Sequence, residues 1–225
     1  MKIVAISDMH GRCSESTLDA YKDIDILLIA GDTVDTYCQR RMEDSEQFYK
    51  NDFIPWLKNV DAKHIVMVGG NHDFFLEKKP DKFKELIEGT NITYLQNEYV
   101  DIDGITIYGT PLCHVFFNWA FMPGDDKQRE VYKETMDGRK IDILLAHDAP
   151  YGCSDICFES SWGRDHIGSN VLRDIVLEKK PKYLIHGHLH SSNHDEEILG
   201  ETRVYNVSLV NEAYKQAYKP LELEI

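Results

Sequence analysis

Ile65-Val66-Met67-Val68-Gly69-Gly70-Asn71-His72-Asp73 runs from an apolar, β-branched stretch straight into two glycines and a polar triplet. A short apolar run bounded by turn residues reads as a buried strand, and its polar end as the loop that leaves the sheet. The same punctuation recurs elsewhere in the chain. Residues 3–6 lead into Ser7-Asp8-Met9-His10, residues 24–29 into Gly31-Asp32, residues 141–145 into His147, and residues 183–185 into Gly187-His188-Leu189-His190. In α/β sheets ligands collect outside the carboxyl ends of the strands. If these ends are neighbours, Asp8, His10, Asp32, Asn71, His72, His147, His188 and His190 share one cleft, and the glycines beside them let backbone and ligand approach closely. Each piece alone has an ordinary reading: Gly-Asp is a common turn, and a lone histidine a common boundary residue. Their joint placement after five strands points to a metal or acid–base site.

Working outward, further strand patterns fall at residues 92–95, 99–102, 105–108, 204–207 and 221–225. Helices are expected at 39–57, 80–87, 126–136 and 170–178, the last with Ser169 as N-cap and Pro181 just beyond its end. Asp103-Gly104 between two strand patterns is a two-residue hairpin signal. Alternating strands and helices indicate an α/β chain, while the hairpin and the strand-rich C-terminal part make the sheets mixed (α+β in character). No repeat, low-complexity tract or Pro/Gly/Ser linker divides the chain, so residues 1–225 are expected to form a single domain.

Composition narrows the function. With 39 Asp+Glu against 25 Lys+Arg the formal charge is −14, and duplex nucleic acid, which is held by Lys/Arg on phosphates, is a poor partner. A small phosphorylated ligand remains possible if a metal supplies the positive charge. At 42% hydrophobic residues the chain is not disordered, and its apolar runs are too short to span a membrane. The N-terminal strand pattern meets Asp8 too early for a signal peptide, and five cysteines without framework spacing fit a reducing compartment. The expectation is a cytoplasmic protein; oligomeric state is not legible.

Asp8-x-His10, Gly31-Asp32, Gly70-Asn71-His72-Asp73, His147 and Gly187-His188-x-His190 together resemble the signature of the calcineurin-like metallophosphoesterases. Tyr108-Gly109-Thr110-Pro111, the aromatic stretch at 116–121, and Asp142-Ile143-Leu144-Leu145 ahead of His147 resemble its small metallophosphoesterase-domain (MPPED-like) branch. The resemblance implies a two-sheet mixed β-sandwich flanked by helices, with a dinuclear metal centre. It implies that Asp8, His10, Asp32 and His190 surround one metal, and that Asp32 bridges to a second held with Asn71, His147 and His188. His72 would face the scissile phosphate rather than bind metal. Gly31-Asp32-x-x-Asp35 resembles a phosphatase pattern whose second Asp orients that histidine, which makes Asp35 its expected partner. Two features depart from the pattern or its branch: Asp148-Ala149-Pro150 follows His147, where a Gly-Pro-Pro-like run is common, and the Gly-His-x-His block is intact, where parts of the branch change its first histidine.

The chemistry is coherent on its own terms. Two divalent ions about 3.5–4 Å apart neutralise phosphoryl oxygens, acidify a water and hold it in line with phosphorus. A mixed N/O donor set without cysteine suits Mn2+ first, then Fe2+, Zn2+ or Ni2+. The expected activity is hydrolysis of a small phosphodiester or phosphomonoester, such as a nucleotide, by a metal-bound hydroxide. A single-strand nuclease and a non-catalytic metal- or nucleotide-binding scaffold are the alternatives, the latter disfavoured by an intact His72. Phe117 and Trp119 are candidates for an aromatic wall, with core packing as the other reading, and Arg12, Arg164 and His166 are candidate substrate contacts.

Overall fold

Successive side chains of a strand point to opposite faces, so an apolar run buried on both sides must serve two cores. The computed structural model, which describes residues 1–13, 18–156 and 166–225, shows this for the central strands. One sheet has the order β11-β1-β2-β3-β4. Its parallel members are β1 (Lys2–Ile6), β2 (Ile24–Ile29), β3 (Ala62–Met67) and β4 (Ile92–Tyr94), and β11 (Leu221–Glu224) closes one edge antiparallel to β1. The second sheet has the order β5-β6-β7-β8-β10-β9. Here β6 (Ile105–Thr110), β7 (Ile143–Ala146), β8 (Tyr183–His186) and β10 (Thr202–Asn206) are parallel, with β5 (Glu98–Ile102) and β9 (Glu197–Leu199) as antiparallel edges.

Ile3, Ala5, Ile26, Leu28, Val66 and Val68 face the second sheet and pack with Ile107, Ile143, Leu145 and Ile185. The alternate residues Val4, Ile6, Leu27, Ile29, Ile65 and Met67 face Tyr49, Phe53, Leu57, Phe75 and Phe83 on the first sheet's helices. On the far side, Tyr108, Leu144, Leu184 and Val204 pack against α5 (Asp125–Thr135) and α6 (Asn170–Lys179). Fully burying each such side chain is worth about 1.5–3 kcal/mol, and it fixes the strand register, because a one-residue slip would swap the two cores. The mixed two-sheet sandwich flanked by helices follows the sequence expectation.

Local signals hold as well. Asp103 (φ 49°) and Gly104 (φ 86°) make the left-handed pair of a tight hairpin turn. Ser169 Oγ accepts the Leu172 N–H at 3.1 Å and caps α6. One expectation is corrected, and two short elements gave no sequence signal. The helix expected at 39–57 begins at Met42 and divides into α1 (Met42–Phe48), a π-helical turn (Tyr49–Phe53) and α2 (Ile54–Leu57). Pro55, at the start of α2, lacks the N–H that would continue an α-helical ladder. Next to α4 (Pro80–Leu86) lies α3 (Phe74–Lys78), too short to show a period in sequence, as is the three-residue β9. Among the described residues no helix is long and apolar enough to cross a membrane, and Cys13, Cys38, Cys113 and Cys153 are unpaired and buried.

Candidate metal centre

Loops leaving β1, β2, β3, β7 and β8 meet at the carboxyl ends of both sheets. Asp8 (φ 56°), His10 (44°), Asp32 (52°) and His188 (72°) all adopt the left-handed conformation, at about 1–3 kcal/mol each. The loops hold one another there. Asp8 N–H donates to Gly31 O (3.0 Å) and His10 N–H to Asp32 O (3.0 Å). His72 N–H donates to Asp32 Oδ1 (2.8 Å) and His188 N–H to Asp8 Oδ2 (3.0 Å). Gly70 is required by the crowding: a Cβ there would lie 2.7 Å from His147 Cε1.

Asp73, which the sequence reading left without a role, ties two of these loops together. Its buried carboxylate accepts from Gly70 N (2.8 Å), Val34 N (2.9 Å), Thr33 Oγ1 (3.1 Å) and the Tyr49 hydroxyl (2.9 Å). Tyr49 comes from the π-helical turn. The Asp in Asn71-His72-Asp73 was the only signal for this role.

Side chains then converge on two buried carboxylates. Asp8 Oδ1 lies 3.2 Å from His190 Nε2, and His190 Nε2 lies 3.2 Å from His10 Nε2. Asp32 Oδ2 lies 3.3 Å from His147 Nε2, 3.8 Å from His72 Nε2 and 3.9 Å from His10 Nε2. Asn71 Oδ1 is 3.0 Å from His147 Nε2. His147 Nδ1–H donates to Ala30 O (2.7 Å) and His190 Nδ1–H to Asn211 O (3.2 Å), which directs each Nε2 lone pair inward, the usual dressing of a ligating imidazole. Asp8, His10 and His190 form one set of mutually close donors, and Asp8, Asp32 and His147 another.

Electrostatics agree with a cation site. Burial alone would raise Asp32, yet the charges of His147 and His72 hold it below the usual carboxylate range. Burial would lower His147, but Asp32 pushes it up to about 10, so a proton occupies that position when no cation does. Burial brings His10 and His188 down to about 3, leaving them neutral and competent to bind metal. Buried His10 Nδ1 has no hydrogen-bond partner. A donor set of two carboxylates, an amide oxygen and inward-facing imidazoles fits a divalent metal.

His72 lies across the cavity, its ring on Trp119 at 4.5 Å between centroids and 33° between planes. Its expected partner Asp35 is a correction. The Asp35 carboxylate accepts the Tyr37 N–H at 2.7 Å, and His72 Nδ1 pairs instead with Gln39 Oε1. The turn after Val34 points Asp35 back onto its own loop and carries Gln39 to the ring.

The cavity is about 560 Å³ and is lined by Asp32, Asn71, His72, His188 and His190 on its floor, and by His114, Phe116, Phe117, Trp119 and Tyr214 around it. Phe117 is 73% exposed, so the aromatic stretch divides: Phe116, Phe117 and Trp119 form a wall, while Ala120 and Phe121 belong to the core. Arg12 donates to the Tyr214 carbonyl, and His166 Nδ1 pairs with buried Asp155 at 2.6 Å; neither lines the cavity. Arg164 lies outside the described residues. Tyr214, whose ring lies 4.7 Å from that of His10, and His114 gave no sequence signal. The His188 ring sits 5.1 Å from that of His147, and its donors lie close to those of His114 and Asp148.

Comparison with known proteins gives concordant relatives. The profile of the calcineurin-like phosphoesterase family matches residues 1–192. A UPF0046 protein of Caenorhabditis elegans is 28% identical over 247 residues, covering 100% of this chain and 81% of its own. Human metallophosphoesterase domain-containing protein 1 is 23% identical over 247 residues, covering 100% of this chain and 71% of its own. The crystal structure of the protein TT1561 from Thermus thermophilus shares the fold, with a TM-score of 0.63, 15% identity, and coverage of 91% of this chain and 88% of that one.

Proposed function

The chain belongs to the calcineurin-like phosphoesterase family of divalent-metal-dependent phosphoric ester hydrolases, and from that premise we propose that residues 1–225 act as one unit hydrolysing a small organic phosphodiester or phosphomonoester. Asp8, His10, Asp32 and His190 would hold one cation, and Asp32, Asn71, His147 and His188 a second, with Asp32 shared between them. Two such ions supply charge neutralisation at phosphoryl oxygens and an acidified water. Mn2+ is the first choice for these donors, with Fe2+, Zn2+ and Ni2+ as substitutes.

The protein's own part follows from geometry. Gln39 Oε1 accepts from His72 Nδ1–H and Trp119 supports the ring face, so His72 Nε2 is fixed at the cavity side, 3.8 Å from Asp32. There the imidazole can give a proton to the departing ester oxygen. Phe116, Phe117 and Trp119 offer flat apolar surface to the substrate's organic part, which supports a planar leaving group such as a nucleoside. The Asp8–Asp32 cradle excludes water from its carboxylates but opens to the cavity through His72 and His188, so a phosphate enters from the aromatic side.

The single observation that carries this reading is the facing pair of His10 and His190 imidazole nitrogens, 3.2 Å apart beside the Asp8 carboxylate. His190 already donates its Nδ1–H to Asn211 and buried His10 Nδ1 has no partner, so without a cation only a single shared proton can bridge the two Nε2 atoms. The test is reconstitution of chelator-treated protein with Mn2+, elemental analysis, and assay against bis(4-nitrophenyl) phosphate, 4-nitrophenyl phosphate and single-stranded DNA. Two bound ions with turnover of an aryl ester are expected. Turnover of neither ester with both ions bound would return the protein to a binding role, and cleavage of DNA alone would make it a nuclease.

A further inference from the structure

Part of the cavity lining, over the His10 and His190 rings, comes from the loop between β10 and β11, to which the phosphoesterase reading gives no role. Tyr214 lines the cavity from this loop. Its ring lies 4.7 Å from that of His10 and 5.4 Å from that of His190, both edge to face, and 6.4 Å from that of His72. Resting on the phosphoesterase reading, we propose that Tyr214 is a substrate-binding residue whose hydroxyl donates to a phosphoryl oxygen of the ester held at the Asp8–Asp32 cradle.

Three observations carry it. First, Tyr214 is held in the left-handed conformation (φ 55°), which for a bulky aromatic persists only where neighbours over-determine it. Asn211 O accepts both the Tyr214 N–H (2.8 Å) and the His190 Nδ1–H (3.2 Å), so one carbonyl fixes the tyrosine and a ligating imidazole together. Asn211 Oδ1 accepts the N–H groups of Ala213 and Lys215 (3.1 Å each), and Arg12 donates to the Tyr214 carbonyl. Second, among the described residues the Tyr214 hydroxyl has no hydrogen-bond partner, and the residue is 37% exposed. Burial and the charges of Asp32, Asp8 and Glu212 push the phenol above its ordinary value, so it stands in the field of the cradle and keeps its proton to donate. Third, among the described residues that line the cavity none is Lys or Arg, while Asp32 and Glu212 are carboxylates. Phosphoryl oxygens must therefore be met by the cations and by neutral donors. His114 gives its Nδ1–H to Asp148, and His72 is turned to the departing oxygen.

A non-bridging phosphoryl oxygen is present in the ester, in the transition state and in the inorganic phosphate released. A donor to it contributes to all three alike, and its removal is felt in KM rather than in kcat. This separates Tyr214 from His72, which acts on the leaving oxygen, and from Phe116 and Phe117, which meet the organic part. A tyrosine that only covered the His10 and His190 rings would be replaced by phenylalanine without effect.

The experiment compares Mn2+-loaded wild type with Tyr214→Phe, which keeps the ring and deletes only the O–H. Calorimetric titration with inorganic phosphate, elemental analysis, Tm, and KM and kcat for bis(4-nitrophenyl) phosphate are measured on both. Tyr214→Phe is expected to bind phosphate about tenfold to a hundredfold more weakly and to raise KM by a similar factor, the range for a hydrogen bond to a charged group. Its kcat, ion content and Tm are expected to match wild type. Equal phosphate affinity in the two proteins overturns the assignment, as does wild type that binds no phosphate. Loss of an ion in Tyr214→Phe, or a fall in kcat at constant KM, overturns it too, since the hydroxyl would then act through the cradle or on the reaction step. Absent ester turnover in wild type that still binds phosphate is failure of the phosphoesterase reading alone, and the comparison of phosphate affinities stands.

Discussion

The cradle and the wall of the cavity are built on opposite plans. In the cradle, Asp8, Asp32 and His147 are buried, their loops are bonded backbone to backbone, and several residues are held at positive φ. The wall, from His114 to Trp119, is half-exposed, has one left-handed residue in Phe117 (φ 52°), and is tied mainly to side chains: Asp148 accepts the His114 N–H, Arg40 donates to Asn118 O and lies 4.7 Å from the Trp119 ring centroid, and Trp119 rests on His72. Strain of about 1–3 kcal/mol per residue persists only where neighbours over-determine the geometry. On the proposed function the cradle would fix the chemistry, while the more exposed wall would set which ester is accepted.

The largest break in that contrast is expected at Asp32. Asp32→Asn should release ions from both cradle positions and abolish turnover, because its Oδ2 is the oxygen near both His147 and His10. His190→Ala should empty mainly one position. Elemental analysis of the two variants side by side decides this; equal partial loss would place the bridge elsewhere.

Next comes His72, which belongs to both regions. His72→Ala should keep its ions and fold but lose turnover by about 10²–10⁴-fold, less for nitrophenolate than for poor leaving groups. Gln39→Ala should show a milder form of the same pattern, and the double variant should be little worse than His72→Ala, since the pair acts as a unit. Asp35→Asn should leave the leaving-group dependence unchanged. A leaving-group series on the four variants checks all of these outcomes together.

A smaller effect belongs to the wall. Phe117→Ala should raise KM for a nucleotide substrate by about 1–3 kcal/mol of lost stacking while kcat and ion content hold. An aryl ester too small to reach Phe117 should be nearly indifferent. Equal effects on both substrates would show that Phe117 supports the loop rather than the ligand.

The smallest effect is a pH dependence confined to the cradle. In metal-free protein His147 is raised to about 10, above its unfolded value of about 6.5, so its contribution is whole below pH about 6.5 and is lost as pH rises through about 10. Asp32 is lowered, so its contribution is present above about 3.9 and is lost as pH falls through its folded value. Tm measured in chelator should therefore decline between pH 7 and 10, and decline less with saturating Mn2+, which replaces the proton. Parallel curves with and without metal would mean that the His147–Asp32 pair does not respond to the cation.

The strand ends were legible because they depend on short-range pattern. A doubly buried strand must be apolar throughout, so Ile65–Val68 announced its own end, and a parallel sheet delivers all such ends to one side. Asp8, His10, Asp32, Asn71, His72, His147, His188 and His190 could be placed together before any coordinates. The hairpin at Asp103-Gly104 and the Ser169 cap were equally local.

Tertiary structure alone decided the partners. Gln39 rather than Asp35 meets His72 because the 35–41 turn folds one side chain onto its own backbone and carries another across 33 residues of sequence. His114 and Asp148 meet across 34 residues because β6 and β7 are adjacent and parallel, which brings their following loops level. Asp73 and Tyr49 meet only because a π-helical turn rotates the tyrosine inward. Backbone periodicity and turn chemistry are properties of a few consecutive residues, and so they are written in the sequence. Which side chain fills a given hydrogen bond depends on the paths of two loops at once, and that is fixed only when both have packed.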